Sequence, residues 1–569
     1  MSDDASLYPV SIDPELLTRP WTALYSEAAK QAQANGLPYD HSHTLIDMFA
    51  KATSDYADND AFINMGHAIK FKTLHEKALA FAAYCQSLGL QKGDKIALMM
   101  PNVLQYPIAL FGGLLAGLTI VNVNPLYTPR ELKHQLNDAE VSAIVIVDNF
   151  IATLEEVIAE TSVNFVINTR LGDMFSPVKR ILVNTVIKHV KKMVPTFALQ
   201  PHISFSQALQ LGKSMAFSPV KLVPEDIAFL QYTGGTTGPS KGAMLNHASM
   251  MANLAQVATF LDEAIEPGKE TVITALPLYH IFALQASCLL FVRYGCTSVL
   301  ITNPRDMDSL IKTLQKTPFS ILPAVNTLFN GLVNHPEFAK LDFSRFKFGL
   351  GGGMAVQKAV ADKWEEMTKT PLLEGYGLTE SSPVATVNPF SIDSYTGAIG
   401  IPLPQTDVKL IDDNGQEVAI GQPGELCVKG PQVMAGYYYR EEATAETIID
   451  GWLHTGDIAK IDENGYLFIV DRKKDMILVS GFNVFPNEVE EVAVMLDGVL
   501  EAAAVGEAHP TSGEVVKLFV VLKDTNISKD AIIKHCKANL TGYKVPKTVV
   551  FIDELPKTNV GKILRRELK

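Results

Sequence analysis

The sequence predicts an α/β protein with a large N-terminal domain of mixed α/β sheets, a β-rich subdomain, and a small mobile α+β domain at the C-terminus. Three observations predict it. Over roughly the first 400 residues, short apolar runs bounded by Gly, Pro or Asp alternate with longer helical stretches, the pattern of helices packed on mainly parallel sheets. Beyond that point VKLID, GELCVKG and GYLFIV are separated by DDNG, GQPG and DENG, which are turn sequences suited to antiparallel strands. From Asn487 helix and strand patterns alternate again, and 569 residues exceed what one small domain uses.

In chain order, KIALMM (95–100), SAIVIV (142–147), FVINT (165–169), TVITALPL (271–278) and SVLIT (298–302) read as buried strands, and TLHEKALAFAAYCQSLG from Thr73 reads as a helix. The longest apolar run, IALFGGLLAGLTIV (108–121), is too short to span a bilayer and reads as a buried helix with close glycine packing. After the β-rich stretch, NEVEEVAVMLDG reads as a helix, followed by the strands AAAVGE and KLFVVLK. The charged segment DRKKD (471–475) divides a large part, residues 1–470, from a small part, residues 476–569, and Lys474 within it is the candidate hinge residue.

Composition excludes several classes. A net charge of −13 disfavours a nucleic-acid binder, which needs Lys and Arg for phosphates. Five scattered cysteines without a CxxC pair exclude a disulfide scaffold or zinc ribbon and suit a reducing cytosol. The acidic N-terminal MSDDASLYPVSIDPELL lacks the apolar core of a secretory signal. Charge is unevenly spread, however. Between Met174 and Pro224 there is no Asp or Glu, while Lys179, Arg180, Lys188, Lys191, Lys192, Lys213 and Lys221 fall there. Read as one helix, Val178–Val194 puts Val178, Leu182, Val183, Val186, Ile187, Val190, Met193 and Val194 on one side and most of the basic residues on the other. Such a helix suits an anionic membrane surface, or it docks on its own domain with a basic outer face.

The sharpest motif is YTGGTTGPSKG, Tyr232–Gly242. Its glycines (Gly234, Gly235, Gly238, Gly242) let the backbone turn tightly and aim N–H groups at an anion. Thr233, Thr236 and Thr237 add hydroxyl donors, and Lys241 adds a positive charge. It follows the strand DIAFLQ and precedes the helix SMMANLAQVATF. It is not a Walker A loop, which needs Gly-Lys-Ser/Thr.

This loop resembles the phosphate-binding loop of the acyl-adenylate-forming enzymes. PLYH (277–280), GGGM (351–354), EGYGLTE (374–380), GWLHTGDIA (451–459), VDRKKDMI (470–477), GFNVFPNEVE (481–490) and LPKTNVGKILRREL (555–568) follow in that family's order. The block from Gly451 to Glu490 is similar to the signature of the bacterial long-chain fatty acid–CoA ligases. The resemblance implies two steps. A carboxylate attacks the α-phosphate of ATP, giving acyl-adenylate and pyrophosphate; the thiol of CoA then displaces AMP. The first step brings an anion toward a polyanion, so it needs cations and N–H donors rather than a side-chain nucleophile.

The resemblance assigns roles residue by residue. Glu380, with Thr236, would hold Mg²⁺. Tyr376 would offer a face to adenine, with Gly377 and Thr379 beside it. Gly351, Gly352 and Gly353 would line the base or the acyl group, and His280 with Phe282 would border the acyl entrance. Asp457 would bind the ribose hydroxyls with support from Arg472. Lys562 would be the adenylation lysine, and Gly481 would meet the pantetheine after the small domain rotates. Implied partners are a long-chain fatty acid, ATP and CoA, and a second copy in a homodimer; the segment Val178–Val194 adds the expectation of a cytoplasmic location, peripheral on the inner membrane surface. A medium-chain or aryl acid–CoA ligase, or a non-catalytic lipid-binding protein of the same fold, are the alternatives.

Overall fold

The computed structural model describes residues 19–199, 202–233, 240–261, 264–480, 482–509, 512–523, 526–558 and 561–569. Gly234, Gly235, Thr236, Thr237, Gly238 and Gly481 therefore lie outside the described residues.

Among the described residues the strands form four sheets. In the first, Phe165–Thr169, Val141–Val147, Lys95–Met99, Thr119–Asn122 and Ile227–Thr233 run parallel in that order. Lys241–Asn246 closes one edge antiparallel, with Thr233 opposite Lys241. These strands are nearly continuous apolar runs because both faces are covered by helices. The second sheet places Leu372–Gly377, Phe348–Gly351, Ile321–Ala324, Thr271–Thr274 and Thr297–Leu300 side by side and parallel. The helices Phe71–Ser87 and Gln105–Leu115 pack together in the main core, where Phe49 stacks on Phe111 at 4.0 Å between centroids.

The run 108–121 is not one helix. It ends as a helix at Leu115 and resumes as the strand Thr119–Asn122, because Gly117 takes a positive φ of 80° and turns the chain. The basic segment also departs from expectation. An α-helix covers Pro177–Thr185, but Val186–Val190 winds as a π-helical turn, with Lys191 N–H bonding Val186 O. The wider turn breaks the 100° register beyond Thr185. Val183 and Ile187 pack against the core, and Asn184 bonds Gly172 N and Asp173. Val178, Ile181, Leu182, Val190 and Met193 face outward, at 81, 65, 62, 71 and 52 % exposure.

The third sheet is antiparallel: Asp407–Ile411, Gly424–Lys429, Trp452–Ile461 and Leu467–Arg472. The fourth, built from Ile477–Val479, Phe482–Val484, Val499–His509, Gly513–Leu522 and Thr548–Phe551, has its own core with Pro486–Val494 and Lys529–Asn539. Residues 473–476 connect the third sheet to the fourth.

Candidate active site

The strand Leu372–Gly377 carries Tyr376 to the third sheet. A Cβ on Gly377 would fall 1.8 Å from Pro383 O, so only glycine lets the strand pass. The Tyr376 hydroxyl donates to Asp457 Oδ2 at 2.6 Å, and Arg472 Nε pairs with Asp457 Oδ1 at 3.2 Å. Asp457 and Arg472 sit opposite each other in the sheet register, and Asp457 is only 4 % exposed. Each carboxylate oxygen keeps a lone pair for a ribose hydroxyl. Thr455, Gly456, Asp457, Arg472, Lys473 and Lys474 line a cavity of about 260 Å³ here. Lys474, the hinge candidate, therefore faces the same space, and burial beside Arg472 lowers its pKa.

Lys562 comes to this place from the far end of the chain. A turn holds its backbone: Thr558 N–H bonds Lys562 O at 2.7 Å, and Lys562 N–H bonds Thr558 Oγ1 at 3.0 Å. Gly561 has φ +83°, and a Cβ there would meet Thr327 Oγ1 at 2.4 Å, so the turn lies hard against the helix start at Asn326. The Lys562 ammonium is pushed down to about 8, chiefly by burial, with Arg472, Lys474 and Arg565 acting the same way and Asp457 opposing. Among the described residues nothing hydrogen-bonds or ion-pairs with that ammonium. It is a positive charge set in low dielectric without a fixed counter-ion, which is what an incoming carboxylate or phosphate needs.

His280 borders Lys562. Its ring is pushed down to about 4 by burial and by the lysine charge, so it is neutral, and its Nδ1 accepts from Phe282 N–H. Phe282 meets Gly352, where a Cβ would come within 3.0 Å of its ring; Gly351 ends its strand and Gly353 follows with φ +76°. The structure thus gathers Tyr376, Asp457, Arg472, Lys474, Lys562, His280, Phe282 and the glycines 351–353.

The phosphate-loop residues divide. Thr233 and Lys241 close the hairpin opposite one another. Tyr232 is 8 % exposed, packs on Gly242, and donates its hydroxyl to Asp138 Oδ2 at 2.8 Å, where Arg440 also pairs. Glu380, in the short turn Thr379–Ser381, accepts at Oε1 from the Tyr437 hydroxyl at 2.6 Å. Among the described residues no cluster of three or more His, Cys, Asp or Glu could hold a metal. One carboxylate fits a magnesium ion carried on phosphates, which keeps most of its ligands from water and the nucleotide.

Sequence reasoning missed two groups. Tyr437 is one; its only signal is the run GYYYR. The other is Arg565, which donates to Glu490 at 2.8 Å and Asn487 Oδ1 at 2.6 Å, and approaches Asp475 and Asp471 at 3.4 and 4.0 Å. Asp471 is fully buried and is pushed up to about 6 by burial, against the pull of Arg565.

Comparison with known proteins decides the family. The pattern described as "AMP-binding enzyme" matches residues 49–438, and "AMP-binding enzyme C-terminal domain" matches 488–562. The chain belongs to the AMP-binding enzyme family. Within that family it is 58 % identical over 531 residues to a long-chain-fatty-acid--CoA ligase of Escherichia coli O157:H7, covering 93 % of this chain and 95 % of that one. It is 36 % identical to the protein of the same name from Bacillus subtilis, over 97 % of both chains. Among solved AMP-binding structures, ATP-bound MatB from Rhodopseudomonas palustris superposes with a TM-score of 0.79 at 26 % identity, covering 92 % of this chain and 98 % of that one. The anthranilate CoA ligase AuaEII in complex with anthranoyl-AMP gives 0.82 at 22 % identity, over 93 % and 97 %, which speaks for the fold alone. ATP and CoA as substrates follow from membership.

Proposed function

We propose that this chain is a long-chain fatty acid–CoA ligase, joining fatty acid and CoA at the expense of ATP, with AMP and pyrophosphate released. The observation that carries the reading is Lys562, whose ammonium has no hydrogen-bond or ion-pair partner among the described residues, gathered with Asp457 and Arg472. The 58 % identity to proteins named for that activity supports the substrate class. In step one an oxygen of the fatty carboxylate bonds to the α-phosphorus as the bond to pyrophosphate breaks. Lys562 neutralises both anions as they approach, and Lys241 draws charge toward the leaving pyrophosphate. Asp457, fixed by Tyr376 and Arg472, orients the ribose. Magnesium, with Glu380 as its protein ligand and Thr236 named from sequence, would neutralise phosphate charge when bound. In step two the CoA sulfur bonds to the acyl carbon, AMP leaves, and the thiol proton passes to solvent. Neutral His280 and Phe282 close one wall of the acyl space and exclude water there. Incubating palmitate, ATP and CoA should yield palmitoyl-CoA and AMP in equal amounts. A panel of acids from C4 to C18 plus benzoates that peaks at short or aryl acids would replace the substrate class, and absence of pyrophosphate exchange with every acid would overturn the ligase reading.

The same proposal places the protein in the cytoplasm, peripheral on the inner membrane surface. The support is the outward face of 178–193. The apolar side chains Val178, Ile181, Leu182, Val190 and Met193 stand exposed among Lys179, Arg180, Lys188, Lys191 and Lys192, with no acid in the segment. Met65, 48 % exposed, extends the patch, since Lys179 bonds its carbonyl. Each apolar side chain inserted gains about 1.5–3 kcal/mol, and the lysines meet anionic headgroups. No described helix is long and apolar enough to cross a membrane. A double Ile181→Asp/Leu182→Asp variant should lose co-sedimentation with phosphatidylglycerol-containing vesicles while keeping turnover of micellar palmitate. Binding equal to the parent protein would reject this face.

A further inference from the structure

We propose that Tyr437 is a positioning residue that couples the phosphate-loop lysine to the carboxylate of Glu380. The inference rests on the ligase reading and deepens it. Tyr437 is 7 % exposed, and its two functional faces point at different groups. The hydroxyl donates to Glu380 Oε1 at 2.6 Å, and the ring lies 4.7 Å from Lys241 Nζ. A hydroxyl-to-carboxylate bond of that length fixes one oxygen and leaves Oε2 outside that bond. An aromatic face under an ammonium holds it without neutralising it, so Lys241 keeps its full charge for a phosphate.

The backbone around Tyr437 is stitched to both partners. Met434 N–H bonds Glu380 O at 2.8 Å, Ala435 N–H bonds Met244 O at 3.0 Å, and Tyr438 N–H bonds Gly242 O at 2.9 Å. Tyr437 itself bridges to Ala243 and takes Thr444 Oγ1 on its own N–H at 2.8 Å. Residues 434–438 are thus a splint between the hairpin that carries Lys241 and the turn that carries Glu380. A salt bridge between the two would have bound them together and cancelled both charges; a tyrosine joins them and cancels neither.

Tyr437→Phe removes the hydroxyl and keeps the ring; Tyr437→Leu removes both. With Tyr437→Phe, the Mg²⁺ concentration for half-maximal palmitate-dependent ATP–pyrophosphate exchange should rise about tenfold. Mn²⁺ binding, followed by electron paramagnetic resonance with a non-hydrolysable ATP analogue, should weaken by the same factor. Acyl-CoA formation from supplied palmitoyl-adenylate and CoA should stay within about twofold of the parent, and the melting temperature should hold. Tyr437→Leu should in addition raise the KM for ATP, because Lys241 loses its platform. In a Glu380→Gln background the Phe substitution should change Mn²⁺ binding little further. Unchanged Mn²⁺ binding in Tyr437→Phe, or an equal loss in both half-reactions, overturns the proposal. If the parent protein formed no acyl-CoA, the ligase reading would fail, while the Mn²⁺ comparison would still judge Tyr437.

Discussion

Asp457 and Lys562 are opposite charges at one site, and the protein treats them oppositely. Asp457 is held within the large domain, with Tyr376 on one oxygen and Arg472 on the other. Lys562 is held by its backbone alone, and the charges nearest it are mostly positive. On the proposed reading the ribose side would be complete before the nucleotide arrives, whereas the lysine side would be completed by the substrates. A half-buried cation with no partner among the described residues is costly, and the cost is recovered only when an anion enters.

The largest test of that contrast is Lys562→Ala. Pyrophosphate exchange should fall about 10³-fold, the scale of losing one transition-state donor. Thioester formation from supplied acyl-adenylate should fall no more than a few-fold. Equal losses would place Lys562 with the structural groups, as Asp457's partners are.

A third buried charge sharpens the contrast. Glu374 accepts from Val356 N–H at Oε1, while Oε2 has no hydrogen-bond partner among the described residues. Burial pushes its carboxyl up to about 7. The folded state therefore favours the protonated acid. Its contribution is complete below the unfolded value near 4.5 and is lost as pH rises to about 7, a swing of about 3 kcal/mol. Glu374→Gln should remove that swing, so urea denaturation at pH 8 should favour the variant while pH 4 should not. A constant difference across pH would show that Glu374 titrates alike in the folded and unfolded chain.

Smaller again is the alkaline limb of adenylation. Lys562 must be charged to act and is pushed down to about 8, so kcat/KM for pyrophosphate exchange should fall as pH rises through about 8. Lys562→Arg should move that limb beyond the measured range. Persistence of the limb would assign it elsewhere. Smallest are the ribose partners: Tyr376→Phe should raise the KM for ATP about threefold, and Asp457→Asn about tenfold, both with little change in the pH profile.

Much of this was legible in the sequence because the motifs are local. The strand DIAFLQ before the phosphate loop and the helix SMMANLAQVATF after it follow from residues adjacent in the chain, whereas the strand Lys241–Asn246 between them was not foreseen and HTGD, which reads as a turn, lies within the strand Trp452–Ile461. The Val178–Val194 face was misread: of its apolar residues Val183 and Ile187 pack on the core while Val178 and Leu182 stand exposed, and a π turn at Val186–Val190 ends the uniform register. Tyr232 read as a loop residue from its place in the motif, yet Asp138, 94 positions away, captures its hydroxyl. Tyr437 and Arg565 were invisible for the same reason: the partners of Tyr437 are 57 and 196 residues distant, and those of Arg565 lie 75–94 away. Adjacency along the chain carries chemistry well and carries partnership across the fold poorly.

The Arg565 cluster has a consequence for how the small lobe can turn. Asn487 N–H bonds Asp471 Oδ2 at 2.8 Å, and Arg565 faces its other oxygen, so groups from beyond residues 473–476 cover a fully buried carboxylate on the near side. A small rotation there strips Asp471 of its cover without yet giving it water, and an uncompensated buried charge costs several kcal/mol. Intermediate angles are therefore the least stable ones. If the small lobe turns here, the joint would act as a detent rather than a pivot, and Lys562 would be either fully in the site or fully out of it.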